Sequence, residues 1–235
     1  MEAITNTKEK LVLRGQISES LANAIRRSVS EIPVLAIDEV EIYKNDSALY
    51  DEVLAHRLGL IPLVTEKSMT SKTKIDFKLT KEGPCTVYSK DLKGAGDIVF
   101  NNIPITILGE GHKLELVATA VLGKGINHAK FVPGLCFYRH LLEVKSSPEA
   151  DKIVQGFKFA LIKPEKQESK WICDLNDLEA DKIRDMDKSA VIGANEILLI
   201  IESYGNLPAK DILTRAIEAL SENLDEFEKF INKNA

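Results

Sequence analysis

The amino-acid sequence predicts a mixed α+β fold. A strand pattern followed at once by an amphipathic helix opens the chain, a strand-rich section with many turn signals fills the middle, and an apolar strand followed by one long helix lies near the end. The chain has 235 residues, 44% of them hydrophobic and 29% charged. This length and composition allow a substantial core, in one large domain or in two to three small ones.

The first predicted elements are a strand and a helix. Residues 10–17 alternate apolar and polar side chains, as a half-buried strand does. Ser18 suits a helix N-cap, and Leu21, Ile25 and Val29 follow at four-residue steps on one helix face. Three polar side chains lie off that stripe, where they are available to a partner: Asn23, Arg26 and Arg27.

A second strand and a second helix are predicted next. Pro33 ends the first helix, and residues 34–43 have strand character. Five of these residues share one parity and are expected on one face: Val34, Ala36, Asp38, Val40 and Ile42. Acidic residues open a helix over 51–60, and Gly59 with Pro62 marks its end.

The middle of the chain divides into two sections. Residues 68–125 are strand-rich and broken by Gly-Pro, Lys-Gly and Asn-Asn-Ile-Pro turn signals, which favours a separate small β-rich domain. Residues 143–188 are charged and weakly periodic. A third small module or an irregular insertion is expected there.

Near the C-terminus, the apolar run 196–202 predicts a buried strand, the residues 204–206 form a turn signal, and a long helix begins near Pro208. Six apolar residues in that helix are spaced by alternating threes and fours: Leu213, Ile217, Leu220, Leu224, Phe227 and Ile231. This heptad-like seam fits either a core within one chain or an interface with a partner chain, and periodicity alone leaves both open.

Composition excludes several classes of function. The net charge of −5 argues against a free-standing nucleic-acid binder, so that any link to DNA is expected to be indirect. No apolar run reaches the roughly 18 to 20 residues of a membrane span, and the first residues lack a signal-peptide core. We therefore expect a cytoplasmic protein without membrane contact.

Metal and catalytic motifs are not found in the sequence. Cys85, Cys136 and Cys173 are far apart, which predicts no zinc or iron–sulfur site and no cofactor. The histidines are equally dispersed, at His56, His112, His128 and His140. Asp185-Met186-Asp187 is a lone acidic pair in a charged segment, and the sequences Gly123-Lys124-Gly125 and Gly94-Ala95-Gly96 are better interpreted as turns than as phosphate loops. Neither an enzyme nor a stand-alone binding module has positive support, although the binding module remains the alternative hypothesis.

Several sequence blocks carry a family resemblance. The first block resembles the opening of the alpha-type subunits of DNA-dependent RNA polymerase and consists of residues 23–27, Pro33 and 36–40. The second block, within residues 45–63, resembles the signature of the archaeal D subunits and the third-largest eukaryotic subunits. Residues 123–133 resemble their second signature, with Phe131 where Trp is usual, and 202–208 resembles their strand–turn–helix entry.

This resemblance implies a domain organisation. A discontinuous dimerisation domain would combine residues 1–44 and 188–235, an inserted β-rich domain would span 45–140, and a small ferredoxin-like module would span 141–187. Many archaeal D subunits carry cluster-binding cysteines in that module, whereas this chain has only Cys173 there. We therefore expect the module without its cluster. Because 235 residues leave little room for the DNA-binding C-terminal domain of bacterial alpha, we do not expect its promoter-contacting function here.

The resemblance also implies partners. The family member pairs with a small subunit, L in archaea, and the pair recruits subunits N and P and the large catalytic subunits. The interface with L would include the first-helix stripe and the terminal seam. The contacts to the other subunits would come from Asn23, Arg26, Arg27, His56, Arg57, His128 and Lys130. Alternatively, Arg26 and Arg27 are solvated helix residues, and His56 and Arg57 brace a helix end.

Overall fold

The computed structural model describes residues 1–234 and has the predicted α+β class. Its strands are β1 (Glu2–Asn6), β2 (Lys10–Gly15), β3 (Val34–Asn45), β4 (Lys74–Glu82), β5 (Cys85–Tyr88), β6 (Lys93–Gly94), β7 (Pro104–Leu108), β8 (Lys113–Gly123), β9 (Gly134–Lys145), β10 (Glu165–Gln167), β11 (Lys170–Cys173) and β12 (Val191–Ser203). Its α-helices are α1 (Glu19–Ser28), α2 (Asp51–Gly59), α3 (Pro148–Gly156), α4 (Asp177–Met186) and α5 (Ala209–Asn234).

One antiparallel sheet joins the two ends of the chain. Its six strands have the order β1-β2-β12-β9-β11-β10, and β12 pairs with β2 so that Leu199 lies opposite Leu13. The apolar run of β12 is buried because both faces of the sheet are covered there: Leu199 and Ile201 lie in the core under α1 and α5, and Leu198 and Ile200 lie in a second core with Ile162. Helices α1 and α5 pack together on one face of the sheet.

The predicted stripe of α1 packs mainly inside this chain. The Ser18 side chain accepts a hydrogen bond from the Leu21 backbone N–H and caps the helix, as predicted. Ile25 and Val29 are buried in the same cluster as Ile212 of α5, whereas the Leu21 side chain is 45% exposed. Only Leu21 of this stripe therefore presents a large surface outside the chain.

A second unit consists of the four-stranded sheet β3-β8-β4-β6, the two-stranded sheet β5-β7 and helix α2. The prediction that alternate residues of 34–43 all lie on one face of the strand is wrong. The β3–β8 register shifts between Ile37 and Glu39, so that Leu35 and Ile37 point into the same core as Val40 and Ile42. The extra residue of a β-bulge reverses the side-chain alternation beyond it.

Strand pairing differs from the predicted domain boundaries at both ends of the insertion. Strand β3 begins at residue 34 and pairs with β8, so that most of the strand assigned to the dimerisation domain lies in the second unit's sheet. Strand β9, which the boundary at residue 140 divides, lies in the six-stranded sheet throughout. By strand pairing, the sheet of the second unit extends from the start of β3 at Val34 to the end of β8 at Gly123, whereas the resemblance implied an insertion over 45–140.

The section 141–187 extends the six-stranded sheet. Strand β11 pairs with the end of β9, so that Trp171 lies opposite Val144, and β10 forms the sheet edge. Helices α3 and α4 contribute Val154 and Ile183 to a separate small core. Within residues 1–234, no helix has the length and apolar character needed to cross a membrane.

Candidate functional site

One cavity is lined by residues from three of the sequence blocks described above, 45–63, 123–133 and 202–208, together with Phe100 and Ile103. The cavity has a volume of about 500 Å³. Its lining comes from the end of α2, the segment before β7, the short helical turn 129–131 and the turn between β12 and α5: Leu60, Pro62, Phe100, Ile103, Ala129, Lys130, Val132, Ser203, Tyr204 and Asn206. The lining is mainly apolar, and Leu60, Phe100 and Tyr204 are each about half exposed.

A buried hydrogen-bonded joint lies beside this cavity. The Asn206 side-chain amide donates to the Leu63 backbone carbonyl at 2.9 Å, and the Asn206 backbone carbonyl accepts from the Thr65 N–H at 3.0 Å. The Thr65 hydroxyl accepts from the Leu35 N–H at 3.0 Å. Because Thr65 and Asn206 are each only 5% exposed, these bonds satisfy groups that water cannot reach. They connect the second unit to the start of α5.

The turn at Gly205 fits closely against the second unit. Gly205 has φ of +98°, and a Cβ atom there would lie 2.3 Å from a Val99 methyl group. Glycine is therefore required both by the backbone conformation and by the close approach. The sequence indicates the turn, but it gives no signal for the burial of Asn206.

Lys130 and Arg57 are engaged within the chain. The Lys130 ammonium lies 2.6 Å from the Asp38 carboxylate, and its side chain is only 13% exposed. The Arg57 guanidinium donates to the backbone carbonyls of Ile105 at 2.9 Å and Pro104 at 2.6 Å. Arg57 thus ties α2 to β7, which agrees with the bracing alternative considered above.

The other polar residues expected at subunit contacts lie at the surface. Arg26 donates twice to the Asn23 side-chain oxygen, at 3.0 and 2.9 Å, so that these two side chains form one polar unit on α1. Arg27 and His56 are exposed. His128 is also exposed, and its Nδ1 accepts a hydrogen bond from the Lys130 N–H. Apart from the Arg26–Asn23 hydrogen bonds and the contact of His128 with the Lys130 backbone, no hydrogen bond or ion pair within residues 1–234 joins these residues to one another.

Helix α5 divides into two parts. In the proximal part, Ala209, Ile212 and Ala216 are fully buried, and Leu213 and Leu220 are half buried against the same core. Every residue from 221 to 234 is exposed. The large apolar side chains outside the core are Ile217 (48% exposed), Leu224 (59%), Phe227 (61%), Phe230 (65%) and Ile231 (47%). Phe230 falls outside the heptad spacing and was not among the predicted interface residues.

The cysteines lack the properties of a metal centre. Burial raises the pKa of the Cys136 thiol to about 11 and that of Cys173 to about 12, which disfavours the thiolate that a metal requires. Cys85 is half buried and isolated. Over residues 1–234, no three His, Cys, Asp or Glu side chains are grouped closely enough to hold a metal ion.

Comparison with known proteins identifies the class. Residues 40–133 match the family described as the RNA polymerase Rpb3/RpoA insert domain, which covers most of the second unit. The match thus places an insert domain of the RNA polymerase subunits between the two chain ends that share the six-stranded sheet.

Full-length relatives identify the family. The chain is 36% identical to DNA-directed RNA polymerase subunit Rpo3 of Pyrococcus furiosus, over 93% of this chain and 90% of that protein. It is 33% identical to Rpo3 of Thermococcus kodakarensis, over 96% and 94% of the two chains. Over a shorter alignment, it is 44% identical to Rpo3 of Methanocaldococcus jannaschii, covering 59% of this chain and 73% of that protein. The chain belongs to the family of archaeal DNA-directed RNA polymerase subunit Rpo3, which confirms the resemblance found in the sequence.

Proposed function

We propose that this chain is a non-catalytic assembly platform of RNA polymerase. It pairs with a small L-type subunit, and the pair recruits subunits N and P and the large catalytic subunits. The observation that carries this proposal is the exposed distal part of α5, where Leu224, Phe227, Phe230 and Ile231 extend beyond the chain's own core. Such a row of large apolar side chains is a typical protein-binding surface.

The size of this surface supports a stable pairing. Residues 221–234 span roughly 20 Å of helix at a rise of about 1.5 Å per residue. Burying a fully exposed large apolar side chain contributes about 1.5 to 3 kcal/mol. Because these four side chains are 47 to 65% exposed, covering them offers roughly 3 to 7 kcal/mol before the costs of association. Leu21 on α1 and Ile217 on α5 add exposed apolar surface.

The remaining predicted interface residues act differently. Ile25 and Val29 are covered by this chain, and Leu213 and Leu220 are partly covered. We assign them the role of fixing α1 against α5, so that the two helices present one surface to the L-type subunit. Helix pairs of this kind form bundles with equivalent helices of a partner.

We assign recruitment of the other subunits to the surface around the 500 Å³ cavity and to the exposed polar residues of α1 and α2. Family signature residues from three parts of the chain line that cavity. Arg27, His56 and His128 are free to contact a second subunit directly. Lys130 acts by holding the turn 129–131 against β3, and Arg57 acts by holding α2 against β7.

The alternative is a stand-alone nucleic-acid or protein binding module in the cytoplasm. The net charge of −5 disfavours the nucleic-acid form. In the assembly proposal, nucleotidyl transfer belongs to the large subunits, contact with DNA is indirect, and residues 141–187 are a ferredoxin-like module without a cluster. The helix–strand–strand–helix order of α3, β10, β11 and α4 is compatible with that description.

Co-purification tests the proposal. The chain would be expressed alone and together with the L-type subunit, and the mass of each product would be measured by size exclusion with light scattering. We expect a one-to-one complex with the L-type subunit. Two separate monomer peaks at micromolar concentration would contradict the pairing.

A further inference from the structure

The buried Thr65–Asn206 pair separates two concave surfaces of different chemistry. Asn206 lines the apolar cavity described above, whereas Thr65 lines a second groove of about 310 Å³. This groove lies between the segment 65–71, the end of β8 and the side of α5, where Arg215 projects into it. The hydrogen bond between Thr65 and Asn206 holds the insert next to α5, so that residues of both border this groove.

The second groove is rich in cations. Lys67, Lys124 and Arg215 line it, with Glu66 as the one acidic residue among its described lining. In the part of the chain that the structure describes, Lys67 and Arg215 form no ion pair within 4.0 Å, and Lys124 has only a 3.4 Å contact with Glu31. In a chain with a net charge of −5, three weakly paired cations around one groove form a local site for negative charge.

The groove also has an apolar part. Pro33, Met69 and Leu122 contribute to its lining beside the cations. A free inorganic anion would use the cations but leave this apolar surface uncovered. A peptide that combines carboxylates with one aliphatic side chain would use both.

We propose that this groove binds an acidic segment of another polymerase subunit, with carboxylates at Lys67, Lys124 and Arg215 and an aliphatic side chain against Met69 and Leu122. The inference rests on the proposed assembly function and adds a second contact surface, away from the distal part of α5. An adjoining concavity of about 300 Å³ shares Lys67 and Arg215 but is also lined by Asp211 and Glu218. Because these two carboxylates would repel acidic side chains, the acidic part of the bound segment should lie in the 310 Å³ groove alone.

Nucleic acid fits this surface less well. Neither concavity has an aromatic residue in its described lining, so no side chain is present for base stacking. The acidic residues of the adjoining concavity would also repel a continuous phosphate backbone. These two observations favour a peptide over RNA or DNA.

Photo-crosslinking in the reconstituted polymerase tests the inference. Benzoylphenylalanine would replace Ser71, an exposed residue that lines the groove, and in a separate variant Phe227 of the distal helix. After irradiation, we expect the Ser71 variant to yield an adduct with a peptide of another subunit in which Asp and Glu outnumber Lys and Arg near the crosslink. An adduct with nucleic acid, with a neutral or basic peptide, or no adduct at all when the Phe227 variant does crosslink, would overturn the inference.

The Phe227 variant separates this inference from the proposed function. If Phe227 yields no adduct with the L-type subunit while Ser71 crosslinks to an acidic peptide, the pairing surface has failed and the groove stands. If Phe227 crosslinks and Ser71 does not, the groove has failed and the pairing stands.

Charge reversal gives a second test. Lys67→Glu with Arg215→Glu should weaken capture of the crosslinked subunit by at least tenfold at moderate salt. The matched control, Lys78→Glu with Lys188→Glu, makes the same change in charge at exposed positions outside both concavities. Both variants should keep the wild-type melting temperature and the pairing with the L-type subunit. Equal capture by the two variants would show that the groove is not the contact.

Discussion

The proximal and distal parts of α5 have the same apolar periodicity but different surroundings. Of the seam residues, Leu213 and Leu220 are half buried against the chain's own core, beside the fully buried Ile212, whereas Leu224 and Phe227 are 59% and 61% exposed. A heptad-like seam thus indicates that a helix face will be covered, but it does not indicate by which chain. The difference arises because the helix continues beyond the edge of the core that its first part covers.

The largest expected effect is on folding. Ile212→Asp places an unpaired charge in a fully buried position and removes an isoleucine from the core, so we expect the free energy of unfolding to fall by about 4 kcal/mol or more. Leu224→Asp, the same kind of change in the distal part, should alter it by less than about 0.5 kcal/mol. Urea unfolding followed by circular dichroism measures the free energy of unfolding of both variants. Similar losses in the two would contradict the claim that only the proximal part of α5 is covered by the chain's own core.

The next effect is on pairing. Leu224→Asp with Phe227→Asp should weaken the complex with the L-type subunit by about 100-fold or more, because two large side chains lose their burial and two charges must be desolvated. The free chain should fold normally. Titration by isothermal calorimetry provides the affinity.

A control for this variant lies on the opposite face of the same helix segment. Glu222→Ala with Lys229→Ala changes two exposed residues on the side of the helix away from Leu224, Phe227, Phe230 and Ile231. It should keep the wild-type affinity for the L-type subunit. If both double variants lose affinity equally, the seam is not the contact face.

The third effect is expected at Asn206, whose buried hydrogen bonds hold the insert next to the start of α5. Asn206→Ala leaves the buried Leu63 carbonyl without its hydrogen-bond donor, so we expect a loss of about 1 to 3 kcal/mol in the free energy of unfolding. Asn127→Ala, at an exposed position, should cost less than about 0.5 kcal/mol. Because the joint is far from the distal seam, pairing with the L-type subunit should survive in the folded fraction, as a pull-down at low temperature would show.

The smallest effect is expected at the polar surface of α1. Arg26→Ala with Arg27→Ala should leave the heterodimer intact but reduce capture of a large subunit by roughly 3- to 10-fold, as loss of exposed charged contacts does. Size-exclusion mass and capture assays on the same preparation report the two properties separately. Loss of the L-type subunit instead would mean that the two faces of α1 have been assigned the wrong way round.

The sequence predicted the elements better than their contacts. The N-cap at Ser18, the helix α2, the strand β12 and the start of α5 after Pro208 were all expected, because caps, turns and apolar periodicity are local signals. The parity of β3 was not, since a bulge depends on how the strand pairs with β8.

In the candidate site, too, local sequence signals did not reveal the contacts between distant residues. The sequence blocks were found, yet their convergence on one cavity depends on tertiary packing that no local pattern records. For Arg57 the sequence left open a subunit contact and the bracing of a helix end, and its contacts with the carbonyls of Ile105 and Pro104 are not visible in any local pattern. Asn206 looked like an ordinary turn residue and is a buried hydrogen-bond donor. In each case the deciding contact lies far away in the sequence.

Hydrogen–deuterium exchange along α5, with and without the L-type subunit, tests the central claim most directly. In the free chain, amides of residues 221–234 should exchange much faster than those of 209–217, because no part of the chain's own core covers the distal part. Pairing should slow exchange in the distal part at least tenfold and leave the proximal part nearly unchanged. A complex that forms without slowing exchange in residues 221–234 would contradict the assignment of this helix face to the partner subunit.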